Sequence, residues 1–278
     1  MTTTICVEHI DETKDYIDDG TEGGPPPPSG TTEIIVTQQA QIKQDSLRKH
    51  FPCASKLIID SLLKNPAYAE FVSAFTTNLK PDLNWDDKVL PWNEAIPNST
   101  IKNYQTGLTS TDGRSATIYL SDDALRNSSQ LLIAATAIHE TLHAYINFVI
   151  ETSYRDNGFL PTDYNPNASW ITAIDMWGDL RDTPSNTRDH SEMIGDYFSK
   201  AISILKTWDS GQHTDKEYCE AMLFGLDNGS DGSPFQRQAL KAQFDALVVK
   251  YGLTDTDLSI FNTNNLNATT GKLPNNCN

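Results

Sequence analysis

Long apolar runs are missing from this 278-residue chain. None approaches the roughly 18 to 20 residues that a membrane-spanning helix requires, so no membrane span is expected. Positive charge is scarce as well: 21 Lys and Arg stand against 37 Asp and Glu, a net charge of -16, and no basic run interrupts the acidity. Such a surface repels phosphate backbones and anionic lipids, which argues against a nucleic-acid partner. Cysteine is sparse and scattered, at Cys6, Cys53, Cys219 and Cys277 with no C-x-x-C pair. A thiolate-ligated structural zinc is therefore not expected, while up to two disulfides are open and their pairing cannot be read from spacing. The opening "MTTTICVEHIDE" has neither a basic n-region nor an apolar h-region, so no export signal is readable. Internal repeats are also missing.

A hydrophobic content of 38% is enough for a real core. The strongest punctuation is "EGGPPPPSGTT", Glu22 to Thr32, whose four consecutive prolines cannot join a helix or a central strand. Three regions are expected: an acidic arm over 1–22, too small for its own core, a Gly/Pro-rich linker over 23–32, and a domain over 33–278. Within that domain, Leu57, Ile58, Leu62 and Leu63, then Tyr68, Phe71, Val72 and Phe75, recur at helical spacing, with Pro66 dividing two helices. Thr111-Asp112-Gly113 between alternating segments predicts a hairpin whose second strand, Ala116 to Leu120, ends shortly before a long helix over Ser129 to Thr152. That helix carries Leu132, Ala135, Ile138, Leu142, Tyr145, Ile146 and Val149 on one broad apolar side. Further helices are expected over Asp189 to Trp208, Lys216 to Leu226 and Pro234 to Tyr251, followed by a polar tail rich in Asn and Thr. The expected fold is α+β and mainly helical, with a small sheet beside the long helix, and the expected state is a monomer.

The long helix contains "TAIHETLHAYI", in which His139 and His143 lie one turn apart on the same face. Two imidazoles so placed can bind one metal ion, and Glu140, about 100° round the helix, can reach a water beside it. This is the arrangement that metal-assisted hydrolysis requires: Zn2+ acidifies water and the carboxylate takes its proton. The plainer alternative is a buried helix with hydrogen-bonded histidines. A catalytic zinc needs a third protein ligand. Counting about 100° per residue, His190 falls on the apolar side of the next helix with Met193, Ile194, Tyr197, Ala201 and Leu205, which favours it. Glu192 points almost opposite with Asp196, yet the E-x-x-x-D spacing of that pair suits a thermolysin-like glutamate ligand, and His213 stands in reserve.

Several other polar groups invite a role. Tyr145 and Tyr197 offer hydroxyls to an oxyanion, although tyrosines on such helices are more often core residues. Asp175 or Asp179 is placed to orient a ligating histidine. The acidic "LDNGSDGS" lacks the closing Glu of a calcium loop and reads as a turn. Taken together, "IHETLHAYI" after "ATIYLSDDAL", followed by a helix opening "HSEMIGDYF", resembles a largely uncharacterised group of bacterial zincin-like metallopeptidases with an H-E-x-L-H-A-Y helix and a downstream H-x-x-M-x-x-x-Y helix. The match spans roughly Phe51 to Tyr251 and falls on His139, Glu140, His143, Ala144 and Tyr145, then His190, Met193 and Tyr197. The long polar insert between the two helices departs from shorter members. The resemblance implies a zinc-dependent hydrolase of protein or peptide substrates, extracellular or on the cell surface. It leaves as the alternative a catalytically inactive module that binds zinc or a protein.

Overall fold

A computed structural model describes residues 42–73, 75, 82–90, 107–111, 116–157, 186–226 and 234–277, all within one compact unit, Gln38–Asn278. The expected arm over 1–22 and linker over 23–32 lie outside the described residues.

The described residues form a mainly helical α+β fold around a four-stranded sheet. Strands β1 (Ile42–Lys43), β2 (Leu83–Lys88), β3 (Gly107–Thr111) and β4 (Ala116–Ser121) lie in the order β1-β2-β4-β3. In β4 the alternation of Ala116, Ile118 and Leu120 with Thr117 and Tyr119 places the apolar set on the core side. β3 pairs antiparallel with β4, Gly107 opposite Leu120 and Thr111 opposite Ala116, as the hairpin reading predicts, while the turn itself, 112–115, falls outside the described residues. β2 runs parallel to β4 from Leu83↔Ala116 to Lys88↔Ser121. The sequence reading missed this strand because "LNWDDK" has only two apolar residues, Leu83 and Trp85, yet both are fully buried.

β4 turns directly into α4 (Asp122–Asn127), and Ser129 then caps α5 (Gln130–Asn157), its Oγ accepting from the Leu132 amide at 3.2 Å. This is the predicted histidine helix, five residues longer at its far end. It differs from expectation in one important way. Across 131–146 the helix is buried on nearly every side, and only His139 and Tyr145 keep partial exposure. Its polar side is therefore not a solvated face. β3 and β4 cover one flank, and α3 (Pro66–Ser73), the π-helical segment Ala54–Ile59 and later helices cover the rest. Buried polar groups must then find partners. Thr141 illustrates it: its hydroxyl donates to the Ala137 carbonyl at 2.8 Å and receives the Tyr68 hydroxyl at 2.7 Å, which locks α3 to α5.

After the undescribed 158–185, α6 (Asn186–Glu192) passes through a π-helical segment, Met193–Tyr197, into α7 (Phe198–Trp208). The predicted single helix is thus one rod with a local change of winding. α8 (Asp215–Leu223) opens with a capping box, Thr214 and Glu217 exchanging hydrogen bonds, and α9 (Pro234–Lys250) packs on α6. The polar tail is corrected. It contains α10 (Asp255–Leu266), started by a second capping box between Thr254 and Asp257 and anchored by buried Phe261 and Leu266.

The chain end clamps the start of α5. Gln130 N donates to the Gly271 carbonyl at 2.7 Å, and Ser129 N and Oγ donate to Asn265 O and Oδ1 at 2.9 Å and 2.6 Å. A disulfide, Cys53–Cys277, closes this arrangement over 224 positions of chain. A loop of that length restricts the unfolded ensemble by on the order of 5 kcal/mol in a chain-entropy treatment. Cys219 is buried and reduced, with burial pushing its thiol up to about 12, so it is an inert core residue.

Candidate metal centre

α5 and α6 meet so that His139, His143 and His190 form one group, each offering a ring nitrogen within 4.8 Å of the other two. The ring centroids stand 4.9, 5.2 and 5.1 Å apart, close to an equilateral triangle. His139 and His143 come together through helix geometry alone, and their Nε2 atoms lie 3.1 Å apart. Nitrogens bonded at the usual zinc distance in a tetrahedron stand about 3.3 Å apart, so this pair suits a shared ion. His190 comes from 47 positions further on, and only the packing of α6 against α5 delivers it. Among the described residues this is the one group of three or more His, Cys, Asp or Glu able to hold a metal ion.

His143 Nδ1 faces Asp189 Oδ2 at 2.9 Å in buried surroundings. With the carboxylate accepting, Nδ1 carries a proton and Nε2 is turned to the centre of the group, 3.1 Å from His139 Nε2. His139 is held well below the ordinary histidine value, first by burial and then by the neighbouring His143 and His190 rings. Three imidazoles converging in a buried site could hold a metal ion.

Glu140 adjoins this group and is only 7% exposed. Burial raises its carboxyl above the ordinary value, against the opposing pull of His143 and of a hydrogen bond from Thr109. That bond comes from β3: the Thr109 hydroxyl lies 2.7 Å from Glu140 Oε2 and 2.9 Å from the Glu140 carbonyl. β3 approaches so closely because residue 107 is glycine. A Cβ there would stand 2.7 Å from Glu140 Cγ, 2.8 Å from Oε1 and 2.8 Å from Thr136 Cγ2.

The remaining sequence candidates separate cleanly. Glu192 does not point to solvent as the helical wheel suggested. It is buried along with Asp189, His190 and Ser191, because α9 covers α6 on the far side, where Ser191 Oγ donates to Gln243 Oε1 at 2.7 Å. It stands outside the three-histidine group. His213 is also elsewhere, beyond α7, with Nδ1 2.8 Å from Asp209 Oδ2. Tyr145 and Tyr197 pack with Phe71 in an aromatic trio, with centroids 5.3 and 5.6 Å from Phe71 and 6.0 Å from each other. Asp175, Asp179 and the acidic turn over 227–233 lie outside the described residues.

Sequence reasoning missed Asp189, Thr109 and Gly107. Asp189 left a faint signal, a carboxylate directly before His190. Thr109 and Gly107 left none, because their importance arises only where β3 crosses α5. Compared with protein-family models, with curated proteins and with solved structures, the chain matches none, so its site is read from its own geometry.

Proposed function

We propose that the protein is a zinc-dependent metallopeptidase of zincin-like type, with His139, His143 and His190 holding Zn2+ and Glu140 acting as general base. The observation that carries this reading is the convergence of the three imidazoles with Glu140 next to them, on the helix that bears His139 and His143. The all-nitrogen donor set, with no thiolate, suits zinc and leaves a fourth position for water. When bound, the ion supplies Lewis acidity to that water and to a substrate carbonyl. Glu140, its carboxyl raised by burial, would accept a proton from the attacking water and pass it to the departing amine. Thr109 holds one carboxylate oxygen in place during that transfer. Asp189 fixes the His143 tautomer.

A peptide as substrate is supported by β3. It is an edge strand lying on α5 and, among the described residues, pairs only with β4. An extended peptide added to such an edge runs past Glu140. The Cys53–Cys277 disulfide supports an oxidising compartment, in keeping with extracellular or cell-surface action.

The test combines elemental analysis with digestion of a broad peptide library by wild type, by Glu140→Gln and by chelated protein. About one zinc per chain is expected, retained in Glu140→Gln, with cleavage falling by about 10²- to 10⁴-fold in that variant. Absence of bound transition metal with no uptake on zinc addition would overturn the reading. Equal, chelator-sensitive cleavage by Glu140→Gln would remove Glu140 from the chemistry.

A further inference from the structure

On another side of α5 lies a second polar cavity, of about 340 Å³, within the range of small-ligand sites. It opens between α8, α10 and the first turn of α5, and shares no residue with the three-histidine group. Three carboxylates line it: Glu217, Glu220 and Asp257. Two of them are committed. Asp257 takes Lys216 Nζ at 2.7 Å and the Thr254 amide at 2.9 Å, and Glu217 Oε2 takes the Thr214 amide and hydroxyl, each at 2.8 Å. Glu220 is different. It is only 6% exposed, and among the described residues no hydrogen bond or ion pair closes on its carboxylate. Burial, with Asp257 and Glu217, pushes its carboxyl up against the opposing pull of Lys216, whose ammonium is already paired with Asp257.

We propose that this cavity binds a small organic cation, an ammonium or guanidinium on an apolar stem, with Glu220 as its counter-ion. The three lining carboxylates outnumber the one cation that acts on Glu220, Lys216, so the cavity is acidic. His213 also lines the cavity, with Nδ1 2.8 Å from Asp209 Oδ2. Leu131, Phe261 and half-exposed Ile260 form an apolar wall for the stem. A metal ion fits less well: these carboxylates and His213 do not converge as ligand atoms do, whereas a solute that spreads its charge and its apolar part across the cavity meets both kinds of surface. The chain's net charge of -16 disfavours an anion in the same place.

Calorimetric titration of the full chain tests this, using n-butylammonium and n-butylguanidinium, with n-butanol as neutral control and calcium chloride as metal control. Nα-acetyl-lysine amide and Nα-acetyl-arginine amide form a further arm, since tighter binding of these than of the bare cations would assign the ligand to a peptide side chain. Expected are binding of at least one organic cation, none of butanol, and weakening by about 30-fold or more in Glu220→Gln. Without ligand, Glu220→Gln should melt above wild type, because a buried charge with no hydrogen-bond partner is removed; a glutamate that held the fold together would make it melt lower. Ile260→Trp, at the exposed rim, should block binding while leaving Glu220 in place, and decides the matter if Glu220→Gln fails to fold. The proposal is overturned if no organic cation binds wild type at about 10 mM, if binding is unchanged in the variants, or if calcium alone binds through Glu220.

Discussion

His143 and His213 each turn Nδ1 to an aspartate, at 2.9 Å from Asp189 and 2.8 Å from Asp209, yet the two pairs serve different ends. Asp189 lies 46 positions from its histidine and is 1% exposed. Its bond orients an imidazole whose other nitrogen meets two more rings. Asp209 lies four positions from its histidine at the end of α7, where it also accepts the Gln212 and His213 amides, at 3.0 and 3.1 Å, and the Tyr218 hydroxyl. It is a hub that ends one helix and starts the next. A histidine–carboxylate pair thus acquires its meaning from what the second ring nitrogen faces.

The contrast can be broken from either side. The largest effect is expected from His190→Ala, which removes one corner of the triangle: zinc retention after dialysis should be lost, while Glu192→Ala keeps it. The reverse outcome, read by elemental analysis, would make Glu192 the ligand. Next comes Asp189→Asn, which should weaken zinc by about 10- to 100-fold because the amide no longer enforces the His143 tautomer. Asp209→Asn, its counterpart, should leave zinc affinity untouched, and a competitive chelator titration of both variants reads the difference. Smaller still is Thr109→Val, for which a fall in peptide cleavage of about tenfold is expected with zinc unchanged, and with Thr109→Ser restoring the rate. Loss of zinc in Thr109→Val would mean that β3 supports the ligands rather than the base.

The smallest effect concerns pH and the Asp209 hub. Burial alone would raise this carboxyl, but the bonds from Tyr218 and His213 outweigh it and leave it below the ordinary value. Between the two values the unfolded chain binds more protons than the folded one, so stability rises with pH there. The contribution is complete above about pH 4 and disappears as pH falls through the lowered native value. Asp209→Asn should therefore cost about 1–3 kcal/mol at neutral pH, and the gap in melting temperature from wild type should narrow below about pH 4. A gap that stays constant to pH 2 would show that the carboxyl charge contributes nothing.

Periodicity and spacing carried the reading a long way where the physics is local. The i, i+4 placement of His139 and His143, the helix start at Ser129, the pairing of β3 with β4 and the division at Pro66 all depend on neighbours within a few residues. Elements with weaker local signatures were lost. β2 has only two apolar residues and needs β4 beside it to be a strand, and α10 has a capping box but little apolar content to announce it. The winding change at Met193–Tyr197 was equally invisible, and it limits what an ideal helical wheel can say beyond Glu192.

By itself the chain's sequence determined a mainly helical α+β fold and one turn of helix bearing two imidazoles and a carboxylate, because backbone geometry sets those relations within a few residues. Tertiary structure alone decided the rest: that His190 joins them, that Asp189 and Thr109 orient His143 and Glu140, that Gly107 admits β3, and that Cys53 meets Cys277. Those contacts bridge from 29 to 224 positions, distances over which spacing along the chain carries no geometric information and only packing can bring partners together.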